Sequence, residues 1–248
     1  MFETLFRWPA SARSIAGLLS VPLLVAGCRQ VEPAPTPPLE ETSVKPGINE
    51  GYLDPAMDID AMVRRFEVES REIAAQRDDI VFAMQIRPGD RLADIGAGTG
   101  LFLEPLAEAV GGDGRLYAVD IAAPFVGFLS QRAAKLGLSQ VEPRLCSERS
   151  VELPPNSIDM AFVCDVYHHF EYPMSSLASI RSALSAGGIL VIVDFERIPG
   201  VTREWILNHV RAGKDEVIAE VEAAGFRFVE QRQVPGLSEN YFIVFERA

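Results

Sequence analysis

Asp94-Ile95-Gly96-Ala97-Gly98-Thr99-Gly100 is the stretch that decides the fold. Before it, Arg91 to Ile95 reads as a short strand. After it, Leu101 to Val110 reads as a helix stopped by Gly111-Gly112-Asp113-Gly114. In an open α/β sheet such a strand-to-helix turn lies at the strand carboxyl ends, where ligands bind. Glycine there permits positive φ and close approach of the backbone to a ligand. Two phosphate-binding readings fail on spacing. The dinucleotide fingerprint needs its third glycine one position later, where Leu101 stands, and no Gly-Lys-Ser/Thr follows for a P-loop.

Outward from the loop, strands and helices alternate. Upstream, apolar residues at Ile59, Met62, Val63, Phe66, Ile73, Ile80, Val81 and Met84 predict one amphipathic helix over Asp58 to Met84. Downstream, strands are expected at Leu116 to Val119, Val141 to Cys146, Ile158 to Cys164 and Ile189 to Phe195. The helices between them are Pro124 to Leu136 and Ser175 to Leu184, the latter ended by Gly187-Gly188. A helix over Asp215 to Ala224 precedes two strands, Phe226 to Gln231 and Tyr241 to Phe245, joined by too short a loop for a crossover helix. The expected fold is α/β: a Rossmann-like, doubly wound, mostly parallel seven-stranded sheet with a C-terminal antiparallel strand pair.

From Asp58 onward the chain resembles the class I S-adenosylmethionine-dependent methyltransferases. The resemblance rests on Asp94 to Gly100, on Asp120 ending the second strand, on Leu153-Pro154 before the fourth, and on Gly187-Gly188 before the fifth. It implies S-adenosylmethionine as cofactor, with Asp94, Gly96, Ala97, Gly98 and Gly100 against its methionine part. Asp120 and the adjoining Ile121 would lie at its ribose. A carboxylate suits the ribose hydroxyls because it offers two acceptor oxygens and no donor; an Asp at that place also serves as a helix N-cap. Glu148 is the candidate near the adenine amino group, its alternative being a solvated surface acid. Phe66 to Arg71, Val166 to Phe170 and Asn240 to Phe242 further resemble a group of bacterial exported methyltransferases of unsettled substrate.

Methyl transfer needs nucleophile, methyl and sulfur aligned and competing water excluded; a base is needed only for a protonated acceptor. The segment after the fourth strand, Asp165 to Phe170, lies beside the cofactor crevice in the family fold. His168 and His169 are the candidate bases, or shape the pocket instead, and Asp165 either faces the cofactor or structures the loop. Glu67 and Arg71, four apart, are expected to pair on a helix face, with Arg71 at the methionine carboxylate as the functional alternative. His209, Arg211 and Lys214 form a basic cluster, read as a solvated helix start or as a receptor for an anionic acceptor. Cys28, Cys146 and Cys164 fit no metal-ligand spacing, and no metal is expected.

The chain's 248 residues suit one sizeable α/β domain. With 23 Lys+Arg against 35 Asp+Glu its net charge is −12, which argues against general nucleic-acid binding. Residues 1–27 read as a signal peptide: Arg7 and Arg13 lead an apolar stretch from Ile15 to Ala26, too short to span a bilayer. Val25-Ala26-Gly27-Cys28 resembles the bacterial lipobox, which implies a lipid anchor on Cys28. A Pro-rich linker over 28–50 and a methyltransferase domain over 51–248 follow. The expectation is a membrane-anchored, periplasmic or extracytoplasmic lipoprotein that methylates a small-molecule or lipid-like acceptor. Its alternatives are a cytoplasmic location and a non-catalytic cofactor-binding lipoprotein of the same fold.

Overall fold

Seven strands lie in the order β3-β2-β1-β4-β5-β7-β6. They are β1 Arg91–Ile95, β2 Arg115–Asp120, β3 Val141–Leu145, β4 Ile158–Cys164, β5 Leu184–Phe195, β6 Phe226–Arg232 and β7 Asn240–Arg247. The first five pair parallel, while β7 runs antiparallel to both β5 and β6. The sheet is therefore the expected one. The structure is a computed structural model that describes residues 41–69 and 71–248, with backbone alone at 67–69 and 71. The signal peptide, Cys28 and most of the Pro-rich stretch lie outside the described residues, as does the proposed pairing of the Glu67 and Arg71 side chains.

Because side chains alternate across a strand, the sheet builds two cores. Leu92, Leu116, Phe162, Val191, Val193, Phe242 and Val244 point to one face. There they pack against α3 Arg77–Met84, α4 Leu103–Val110 and α5 Ala123–Leu136 through Ile80, Met84, Leu103, Leu106 and Leu129. Ala93, Ile95, Val119, Ala161, Val163, Ile192, Ile243 and Phe245 point to the other. That face is covered by α6 Pro173–Ala183 and α8 Lys214–Ala223 through Leu177, Ile180, Val217 and Val221. The central strands are thus apolar on both sides, which explains the unbroken run from Ile189 to Val193.

Three local expectations change. The single helix over Asp58 to Met84 is three: α1 Ile59–Glu69, α2 Arg71–Ala75 and α3. Gly187-Gly188 does not end α6 but lies inside β5, which begins at Leu184 and shifts register against β4 between Ile158 and Met160. A short helix, α7 Glu204–His209, stands where no element was expected.

Residues 41–50 run across the domain rather than away from it. Glu41 accepts hydrogen bonds from Met174 N and Ser175 N, both at 2.8 Å, at the start of α6, where a negative group meets the unsatisfied N–H donors of the first turn. Val44 N donates to Glu171 O at 2.9 Å, and Gly47 N to Glu171 Oε1 at 3.0 Å. Asn49, buried, donates from Nδ2 to His169 O at 3.1 Å.

Candidate functional site

One cleft opens at the carboxyl ends of β1, β2 and β4. It encloses about 1380 Å³ including its open mouth. Asp94, Gly96, Ala97, Gly98, Asp120, Ile121, Glu148, Asp165, His168 and His169 all line it. Gly100 does not. A Cβ there would come within 2.8 Å of Leu129 Cδ2 and 3.3 Å of Leu103 Cβ, so this glycine lets α4 and α5 close over the loop.

Gly96 carries the tightest requirement. Its φ is +78°, and a Cβ would meet Val166 Cγ1 at 2.5 Å and Val166 Cγ2 at 2.6 Å. The glycine loop and the turn after β4 are therefore in contact through this one position. Gly98 N donates to Asp120 Oδ2 and Ala122 N to Asp120 Oδ1, each at 2.8 Å. Asp120 thus braces the loop and the turn before α5 with lone pairs left on both oxygens. The N-cap of α5 is Ala122, without a side-chain cap, so Asp120 is not the N-cap and its free lone pairs can face a ligand.

Asp94 and Asp120 are both buried, and burial pushes both carboxyls up, to about 7 and about 6. For Asp94 the neighbouring Asp120 charge adds to the effect; for Asp120 the backbone donors Ala122 and Gly98 oppose it. A pair of buried acids at the floor of a cleft favours a ligand that brings positive charge and hydroxyl donors. Aromatic rings cover the same end. Tyr52, Phe66 and Phe125 stand with ring centroids 6.0–6.4 Å apart. An aromatic and glycine-lined cradle with a carboxylate pair fits the adenosyl and sulfonium parts of S-adenosylmethionine.

The other end of the cleft is built by the turn after β4. Asp165 takes φ +58°, a left-handed conformation that Asp tolerates better than most residues, and sends the chain sharply into a 3₁₀ turn, Tyr167–His169. Tyr167 is buried beneath it. Its Oη donates to Glu220 Oε2 at 2.7 Å, and Arg211 grips the same carboxylate through two bonds of 2.8 and 2.9 Å. His168 is buried, and its Nδ1 lies 2.9 Å from Asp194 Oδ1. A carboxylate only accepts, so Nδ1 carries the proton and Nε2 keeps the lone pair. Burial opposes a charge on His168, but the Asp194 carboxylate outweighs it and raises the pKa. His169 is driven the opposite way, to about 2, by burial first and then by His168 and His209. Between the two candidate bases, the geometry favours His168.

Residues that sequence reasoning did not place at the site join it: Asn49, Tyr52, Phe195 and Trp205. None carries a local motif, and Asn49 fell in the stretch read as linker. The basic cluster of His209, Arg211 and Lys214 is divided. His209 faces the cleft, Arg211 is held by Glu220, and Lys214 is paired with Glu196 at 2.7 Å. Cys146, just after β3, and Cys164, at the end of β4, are free thiols that line the cleft, with β2 and β1 lying between those strands.

Residues 93–192 match the methyltransferase domain family. Nocamycin O-methyltransferase of Saccharothrix syringae is 32% identical over 140 residues, 56% of this chain and 50% of that protein. The ubiquinone/menaquinone biosynthesis C-methyltransferase UbiE of Stenotrophomonas maltophilia is 29% identical over 129 residues, 50% of this chain and 49% of that protein. The chain thus spans about half the length of these curated relatives. Among solved structures, an S-adenosylmethionine-dependent methyltransferase from Aquifex aeolicus superposes with a TM-score of 0.68 at 21% identity, covering 77% of this chain and 100% of that one. The sheet and its helices are those of the Rossmann-like methyltransferase fold.

Proposed function

We propose that this protein is an S-adenosylmethionine-dependent methyltransferase acting on a small-molecule or lipid-like acceptor. The observation that carries the reading is the shared cleft. The Gly96–Gly98 loop, braced by Asp120, and the Asp194-held His168 line it together. When bound, S-adenosylmethionine supplies a methyl carbon activated by a sulfonium. The chain's own residues do the rest. Asp94 and the glycine loop receive the methionine part, Asp120 accepts from the ribose hydroxyls, and Glu148 lies toward the adenine. Tyr52, Phe66 and Phe125 exclude water from that end. His168 Nε2 is placed to take a proton from an acceptor hydroxyl or thiol, with Asp194 stabilising the imidazolium so formed.

Calorimetry on the folded chain with S-adenosylmethionine and with its demethylated product tests this. Binding of both is expected. No heat with either ligand refutes the assignment, and binding of NADH instead redirects it to hydride transfer. Cofactor binding without turnover of any phenol, thiol, quinol or amine acceptor favours the binding-protein alternative.

A second proposal concerns location, and it is supported by the Arg7/Arg13 leader, the apolar core and the Val25–Cys28 motif. The mature chain begins at an acylated Cys28 and is held to a membrane on the extracytoplasmic side. Intact-mass analysis of membrane-extracted protein is expected to show that N-terminus. A soluble chain beginning at Met1 places the protein in the cytosol.

A further inference from the structure

The sequence contains three histidines, and all three end in one place. His168 and His169 come from the turn after β4, and His209 from the end of α7. Their ring centroids are 4.4, 5.0 and 5.1 Å apart. One ring nitrogen from each lies within 4.8 Å of one from each of the others. All three line the cleft. We propose that His168, His169 and His209 form a binding site for one divalent transition-metal ion, with an open position facing the cleft.

Three observations support this. First, His168 has the arrangement typical of a metal-ligating histidine: Nδ1 is held by the Asp194 carboxylate, which fixes the tautomer and leaves Nε2 as the donor. Second, Nδ1 of His169 is buried with no hydrogen-bond partner among the described residues, an arrangement that costs free energy unless something meets the ring. Third, two carboxylates, Asp165 and Asp194, approach His168 and offset the positive charges of Lys45, which reaches His209 O from the 41–50 segment, and of Arg65, which acts on His169. Tetrahedral zinc with bonds of about 2.0–2.1 Å spaces its nitrogens roughly 3.4 Å apart. Binding therefore draws the three rings together by up to about an ångström and a half.

The donor set specifies the class of ion. Three neutral imidazoles suit zinc, iron, nickel or copper rather than magnesium or calcium. Cys164 lines the same cleft, but burial holds its thiol well above the usual range, so it does not compete as a thiolate. Three protein ligands leave one position open, which defines a catalytic rather than a structural site. Resting on the methyl-transfer reading, the natural occupant of that position is the acceptor itself. It would be an ionisable oxygen or sulfur compound, such as a phenol, enol or thiol, that loses its proton to solvent on coordination; with metal bound, His168 Nε2 is a ligand and no longer serves as the base.

The test uses the full chain, stripped with chelator, equilibrated with Zn²⁺ or Co²⁺ and dialysed. One equivalent of retained metal is expected by elemental mass spectrometry. X-ray absorption at the metal edge of the unsubstituted chain should show imidazole ligands. His209→Ala, checked for an unchanged thermal melt, should lose the metal, and Asp194→Asn should weaken it by about 10–100-fold. Retention no greater than in a chain with all three histidines replaced by alanine overturns the proposal, as does a metal edge showing sulfur ligands in place of imidazole. Calorimetry with the demethylated cofactor on metal-free and metal-loaded samples separates the two readings. Cofactor binding without retained metal defeats only the metal site, and retained metal without cofactor binding defeats only methyl transfer.

Discussion

Gly96→Ala is the substitution that tests most directly how the cleft is built. Two costs add. At φ +78° an alanine is in the left-handed region, worth about 1–2 kcal/mol. Its Cβ also falls 2.5 and 2.6 Å from the two Val166 methyls and 3.0 Å from Val166 Cβ, so the turn after β4 has to move. Overpacking of this kind costs about 1–3 kcal/mol. Together these give about 2–5 kcal/mol, which for a domain of this size lowers Tm by about 5–15 °C. Val166→Ala in the same chain removes both methyls but leaves Cβ and the strained φ, so the double variant should recover part of the loss. Thermal melts of the four chains, with and without the demethylated cofactor, give the coupling as a double-mutant cycle. A single variant that melts within about 1 °C of the parent, or a double variant with no recovery, refutes the contact between loop and turn.

Asp120→Ala removes the acceptor of the Gly98 and Ala122 N–H groups as well as the ribose acceptor. Cofactor affinity should fall by about 2–4 kcal/mol, roughly 30- to 700-fold, by calorimetry on folded protein. The raised Asp94 and Asp120 carboxyls, about 7 and about 6, bind protons in the folded apo chain that the unfolded chain has released. Their contribution to apo stability should fall as pH rises from about 4 to about 7. Cofactor that prefers the ionised pair should release protons and bind more tightly as pH rises through about 6–7; affinity flat from pH 5.5 to 8 counts against it. Glu41→Ala, which strips the first turn of α6 of two acceptors, should cost about 1 kcal/mol and speed amide exchange at Met174 and Ser175. Glu220→Ala leaves Arg211 and Tyr167 buried without their acceptor and should cost about 3–5 kcal/mol, with a shift in the His168 ring resonances.

The parts of the molecule legible in sequence are those written locally. β1 and β4 have the expected bounds because an apolar run and a turn mark each end. The glycine loop is legible from its own short motif, while Asp120, beyond α4 at the end of the adjacent strand β2, is expected from the family resemblance. What was hidden depends on packing. The apolar spacing of Ile73, Ile80 and Met84 carries across the breaks between α1, α2 and α3, so periodicity alone cannot show three helices. α7 has six residues, too few for a period, and its His209 reaches His168 only once the chain after β5 has folded back. Asn49 sits among residues whose composition reads as spacer, and it is the Glu148 carboxylate and the His169 carbonyl that hold it.

Because β7 inserts between β5 and β6, the sheet is not assembled in the order in which the ribosome delivers its strands. β6 emerges first and has no neighbour to pair with until β7 arrives. Meanwhile the β5 edge, with Leu190, Val191, Ile192 and Val193 all apolar, stands bare of its partner. An unpaired apolar edge is a template for another chain. A nascent or nicked chain that stops between residues 232 and 240 is therefore not a smaller working domain but an adhesive one. Chaperones and proteases are expected to recognise the β5 edge as the mark of an unfinished molecule.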